Sequence, residues 1–181
     1  MTDSYFFDTD CISAFLWVKN ESILAKLYPG KIILPMQVYD EIKKVPPLLK
    51  RIEMMKNNNQ LSVQSILVET EEYKDYYALA VNPASGEKII GKGEAAAIAL
   101  TKKHNGTLAS NNLRDIMTYV EKYNLKHITT GDILIEALNK QIITEDEGNA
   151  LWANMLSKRR MLPTATFTEY LEQHKKEDGE G

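Results

Sequence analysis

Short apolar runs alternate with longer amphipathic stretches along most of the chain. Tyr5-Phe6-Phe7 is an aromatic run closed by Asp8, and Thr9 and Asp10 stand where they can cap a helix that begins Cys11-Ile12-Ser13-Ala14-Phe15-Leu16. Asp8 itself reads either as a further turn or capping residue or as an acid placed for chemistry. A second helix, about Glu21 to Leu27, is stopped by Pro29-Gly30. Lys31-Ile32-Ile33-Leu34 has the pattern of a buried strand, and Pro35 opens the helix that follows, Met36 to Ile42. Val38 and Ile42 lie one turn apart and face inward. Glu41 is offset to the edge of that face, where a carboxylate is by default a surface residue. Pro46-Pro47 ends this helix, Leu48 to Met55 forms the next, and Leu61 to Val68 reads as a strand.

Glu71 to Ala80 is predicted helical, with Tyr73, Tyr76 and Tyr77 packing along one face, before a loop at Asn82-Pro83-Ala84-Ser85-Gly86. The centre of the chain is Gly91-Lys92-Gly93-Glu94-Ala95-Ala96-Ala97-Ile98-Ala99-Leu100. Its glycines permit a sharp turn, and its alanines permit a helix packed close against a sheet. Glu94, in the first turn, at the least complements the positive end of the helix, an effect of up to about 1 kcal/mol. A short strand then ends at Ser110-Asn111-Asn112, followed by a helix over Leu113 to Tyr123, a strand at His127-Ile128-Thr129 and a helix over Ile133 to Lys140. Two further helices, about Asp146 to Arg160 and Thr166 to Lys175, flank Pro163. Strands separated by helices in this rhythm predict an α/β fold with a parallel central sheet and helices on both faces. Residues 1–141 form that unit, 142–176 a helical extension packed on the same domain, and 177–181 a tail expected to fray.

Composition narrows the class. The 181 residues are 44% hydrophobic and 26% charged, as in soluble globular proteins. Cys11 is the only cysteine, which excludes an intrachain disulfide and a cysteine-based zinc cluster, and its apolar neighbours mark it as a buried structural thiol. His104, His127 and His174 lack ligand-like spacing. No apolar run approaches the roughly 18 residues of a spanning helix, and the opening Met1-Thr2-Asp3-Ser4 lacks a basic leader region, so a cytoplasmic location is expected. The net charge of −3 offers no global attraction to nucleic acid, and a polyanion would need a local basic patch or bound cations. Lys92, Lys102-Lys103 and Lys158-Arg159-Arg160 are the candidates for such contacts, each also readable as a solvated face.

In an open parallel sheet, ligands gather beyond the carboxyl ends of the strands, where strand order reverses. Asp8 follows the first strand, Glu41 lies in the helix after the second, Glu94 begins the central helix, and Asp115 lies just past the strand ending at Ser110. Acids converging there repel one another unless cations neutralise them, which points to a Mg²⁺ or Mn²⁺ site. Gly86 to Gly93 nearly spells the phosphate loop GxxxxGK followed by serine or threonine. Gly93 stands where the hydroxyl is needed, and helix and loop precede it instead of a strand, so nucleotide hydrolysis is the weaker reading.

The succession Phe7-Asp8-Thr9-Asp10, Ile33-Leu34-Pro35 through Tyr39-Asp40-Glu41-Ile42, Gly93 to Leu100, and Leu108-Ala109-Ser110-Asn111-Asn112 resembles the PIN-domain family of nucleases, as does Thr130-Gly131-Asp132-Ile133-Leu134. The resemblance implies a three-layer α/β/α fold and a metal-dependent ribonuclease, in a class that includes toxins of toxin–antitoxin pairs. It places Asp8, Glu41 and Glu94 at the first three acidic positions. At the fourth, many members carry aspartates where Asn111 and Asn112 stand, whereas some toxin-like members read threonine-asparagine-asparagine followed three residues later by an acid, much as Ser110-Asn111-Asn112 is followed here by Asp115. Asn112 can coordinate through its amide oxygen but brings no charge. Mg²⁺ or Mn²⁺ held by Asp8 and Glu94 would activate water for phosphodiester hydrolysis, with Glu41, Asp115 and Asn112 completing the site and Ser110, Asn111 and Lys92 contacting substrate. RNA is the implied substrate, and an antitoxin protein and a second copy of the chain are the implied partners. The alternative within the same fold is a degenerate module that binds RNA or an antitoxin and cleaves nothing.

Overall fold

The apolar runs pair as short, wholly parallel strands. The computed structural model describes residues 3–179. Among them the order is β1 (Tyr5–Phe7), α1 (Thr9–Trp17), α2 (Ser22–Leu27), β2 (Ile32–Pro35), α3 (Met36–Lys43), α4 (Pro46–Asn57), β3 (Leu61–Gln64) and α5 (Glu71–Ala80). The second half adds α6 (Lys92–His104), β4 (Thr107–Ala109), α7 (Leu113–Lys122), β5 (Lys126–Ile128), α8 (Thr130–Asn139), α9 (Glu145–Ser157) and α10 (Phe167–Gly179). The strands line up as β3-β2-β1-β4-β5. The chain therefore builds outward from β1 in one direction, then returns through α5 and α6 to build outward in the other. The reversal falls between β1 and β4, where Phe7 lies opposite Ala109, and Ala109 in turn lies opposite Ile128. The ladder runs one residue further, since the Asp8 amide donates to Ala109 O and the Ser110 amide to Ile128 O, each at 3.0 Å.

Alternate strand residues face opposite ways, and they feed two separate cores. Phe7 and Ala109 join Phe15, Leu24, Ile52 and Trp152 on one face, while Leu108 joins Leu79, Ala97, Ile98 and Ile116 on the other. This is the expected three-layer α/β/α arrangement. Ala95 through Leu100 are fully buried, because α6 packs against α3, α5 and the sheet, and only small side chains allow so many close neighbours. The last two helices belong to the first core. Trp152 of α9 meets the rings of Phe167 and Tyr170, and its Nε1 donates to Thr164 O at 2.9 Å.

Several local expectations are corrected. Asp8, not Thr9 or Asp10, caps α1, its Oδ1 accepting from the Cys11 amide at 2.8 Å. Pro46 and Pro47 open α4 as well as ending α3, since the first helical turn has no need of their missing amide hydrogens. β3 stops at Gln64 instead of Val68. It is an edge strand, and Leu67 and Val68 stand exposed with no further strand to cover them. Of the segment expected to fray, residues 177–179 are assigned to the end of α10, and Glu180 and Gly181 lie outside the described residues, so that expectation stands untested.

Candidate active site

A cleft of about 410 Å³ opens at the carboxyl end of the sheet, beside the reversal between β1 and β4. Four of the predicted acids, Asp8, Glu41, Glu94 and Asp115, line it, together with Asp10 and Arg160. Each arrives from a different element. Asp8 is fixed by its two roles at the strand-to-helix turn. Its backbone continues the sheet ladder and its Oδ1 caps α1. Its Oδ2 is buried and has no hydrogen-bond partner. Burial pushes the Asp8 carboxyl up to about 7, against the opposing pull of the Ser110 hydroxyl and the Cys11 amide, and the nearby charges of Asp10 and Glu94 push the same way.

Glu41 is not the ordinary surface carboxylate that its place on α3 suggested. The Thr9 hydroxyl donates to its Oε2, and both its oxygens lie against Gly93, where a Cβ would stand 3.2 Å from each. Thus the glycine at the second position of α6 leaves room for an acid from α3. Glu94, one residue on, accepts at Oε2 from the Gly91 amide at 3.2 Å, so the bland reading of a helix-start carboxylate is correct for one oxygen. Its Oε1 accepts from Asn112 Nδ2 at 2.6 Å. Burial raises the Glu94 pKa, and Asp115 and Glu41 add to that rise while the Asn112 and Gly91 bonds oppose it.

Asn112 also donates from Nδ2 to Asp115 Oδ2 at 2.8 Å, so Asp115 turns toward the acids. One amide therefore holds two carboxylates together. Asn111 does something else: its side chain donates to Thr130 Oγ1 and accepts from the Thr130 amide, both at 2.8 Å, tying the end of β4 to the start of α8. Ser110 is fully buried and lies behind Asp8, outside the cleft lining. Lys92 is exposed at the first position of α6 and does not line the cleft either. Lys102 and Lys103 are engaged with Asp75 and Glu72 of α5. Arg160 is the member of the basic clusters that reaches the acids, 3.4 Å from Asp10 Oδ1. The phosphate-loop likeness ends here too, because α5 and a loop precede it and the Gly91 amide is occupied by Glu94.

The sequence pattern marks Asp10 only as a capping residue and misses its place on the cleft wall. The signal for it was present, since Asp8 and Asp10 flank one residue at the first strand end. Oxygen donors from carboxylates suit a hard cation such as Mg²⁺ or Mn²⁺, but Asn112, expected to ligate through its amide oxygen, turns its Nδ2 to Glu94 and Asp115 and does not line the cleft. Among the described residues, no three acidic, histidine or cysteine side chains are already gathered to hold an ion. The fit lies in the donor chemistry and in Asp8, which lines the cleft and whose buried Oδ2 has no hydrogen-bond partner.

A family model described as a PIN domain matches residues 4–176. The chain therefore belongs to the PIN-domain family, whose members have a nuclease-type fold and typically use divalent metals. The comparison with curated proteins gives no match.

Proposed function

We propose that the protein is a ribonuclease that hydrolyses phosphodiester bonds with Mg²⁺ or Mn²⁺. The observation that carries this reading is the unpaired, buried Oδ2 of Asp8 in a cleft shared with Glu41, Glu94 and Asp115. Asp8 and Glu94 would hold the ion, with Asp115 and Asn112 beside them and Glu41 kept in place by Thr9 and Gly93. A divalent ion supplies charge neutralisation at the phosphate and acidifies coordinated water. The chain contributes alignment: Asn112 steers the carboxylates of Glu94 and Asp115, and the Gly91 amide anchors the other oxygen of Glu94. RNA is preferred over DNA because Ser110-Asn111-Asn112 followed by Asp115 is similar to the toxin-like pattern of the family.

One observation favours a second reading. The Asn112 amide satisfies Glu94 and Asp115 with no cation, which suits a PIN-fold module that binds without cleaving. Incubation of purified protein with single-stranded RNA and Mn²⁺ separates the two. Cleavage is expected from the wild type, and Asp8→Asn and Glu94→Gln each lower its rate by more than the roughly 10–100-fold typical of outer-shell partners. Equal cleavage by all three proteins would contradict the nuclease reading, as would none by any, which is the result the binding module predicts.

A further inference from the structure

Beside the acid cleft lies a larger groove of about 1120 Å³, walled by the start of α7, the end of β5, α8, α10 and residues 161–163. Pockets for one small molecule enclose roughly 300–1,000 Å³, so this groove suits a segment of polymer better than a single metabolite. The two depressions adjoin. Asp115 lines both, and Arg160 on the cleft wall is followed directly by Met161, Leu162 and Pro163 on the groove wall.

Charge is divided unequally between them. The cleft gathers carboxylates, and Arg160 is the only cation lining it among the described residues. In the groove, Lys88 and Arg114 stand against Asp115 and Asp132, so fixed charge there is balanced. Its apolar part is open to solvent: Met161 is 84% exposed and Leu113 44%. The groove also has the exposed amide of Gln173 and the ring of His174, which lies 3.2 Å from Asp132 and 5.2 Å from the buried ring of Tyr170. Apolar and aromatic surface among neutral hydrogen-bonding groups is the chemistry that receives unpaired bases. Arg160 is held loosely by comparison. Its Nη1 is 3.4 Å from Asp10 in a half-buried contact and its Nε donates to Lys158 O at 3.2 Å on the surface, and a phosphate oxygen is a stronger partner for a guanidinium than so long a pair.

We propose that the groove seats the nucleotides on one side of the phosphate entering the acid cleft, with Arg160 leaving Asp10 to hold the backbone phosphate where the two depressions meet. The choice of RNA rests on the ribonuclease reading above. The strand must be single, because only unpaired bases can lie on the Met161 and Leu113 wall.

Binding measured apart from cleavage tests this. A short fluorescein-labelled single-stranded RNA is titrated, with Ca²⁺ in place of Mg²⁺ to hold off cleavage, into the full wild-type chain. Arg160→Ala raises the Kd about tenfold and lowers the slope of log Kd against log salt by about 1, and Arg160→Lys recovers part of the loss. Met161→Asp, at a position too exposed to affect folding, also raises the Kd severalfold. RNA carrying 4-thiouridine crosslinks to the groove residues of α7 and α10. Unchanged Kd values for both variants, crosslinks confined to another face, or no binding by the parent would each overturn the proposal. A wild type that fails to cleave while these binding changes persist would remove the nuclease reading and leave the groove assignment standing.

Discussion

Asp8 shows how one residue serves fold and site together. One oxygen caps α1 and the other is left buried without a hydrogen-bond partner, a costly arrangement. Its pKa lies at about 7, against 3.8 for an ordinary aspartate, so the native metal-free state binds a proton more tightly than the unfolded state does. Stability from this residue is then greatest at low pH and declines as pH rises from about 4 through about 7. Asp8→Asn keeps the cap, because asparagine caps as well as aspartate, and removes the buried charge. The metal-free variant is expected to be more stable than wild type above pH 7, by about 1–3 kcal/mol, with the gap closing toward pH 4. Thermal melts in chelator across that range check this, and a variant less stable than wild type at every pH would contradict it. Asp8 and Glu94 were legible because strand ends and helix starts can be read from local pattern. The division of labour between Asn111 and Asn112 was not, since Thr130, Glu94 and Asp115 reach them only through the fold.

At the scale of elements, α6 is the piece against which the site is assembled. Its alanines let it sit close to the sheet, and Gly93 lets the α3 acid lie against its first turn. In a helix alanine is favoured over glycine by about 1 kcal/mol, so Gly93→Ala need not weaken the fold. Its Cβ would stand 3.0 Å from Thr9 Oγ1 and 3.2 Å from both Glu41 oxygens, tight enough to displace the carboxylate. The variant is expected to melt within a few degrees of wild type while losing about tenfold or more in RNA cleavage. Wild-type cleavage would show that Glu41 is not needed where it stands. Helix periodicity predicted α3 correctly and still left Glu41 at the margin, because the space that draws it inward is made by a glycine fifty-two positions later. The groove residues Asp132, Tyr170 and His174 were missed for the same reason. Asp132 looks from sequence like a helix-start acid, which it is, through its bonds to Thr129. Its further bond from the Tyr170 hydroxyl, at 2.9 Å, depends on how α10 docks.

Across the whole molecule, the order β3-β2-β1-β4-β5 turns acids separated by more than a hundred residues into neighbours. The alternation of strands and helices made a parallel sheet predictable, and it located the site at the strand ends by the reversal rule. Which helices cover which face was beyond that reasoning, as was the reach of Arg160 across 150 positions to Asp10. The two cores hold the walls of the cleft from opposite sides, α1 from one and α6 and α7 from the other. A cation binding there would link both layers and stabilise the native state as a whole. Isothermal titration of Mn²⁺ into the purified chain, between pH 6 and pH 8, is the most direct test that the acids form a cation site. The expected result is saturable binding that strengthens as pH rises through about 7, where Asp8 gives up its proton, and that disappears in Asp8→Asn. No saturable binding by the wild type, or binding left intact by that substitution, would contradict it.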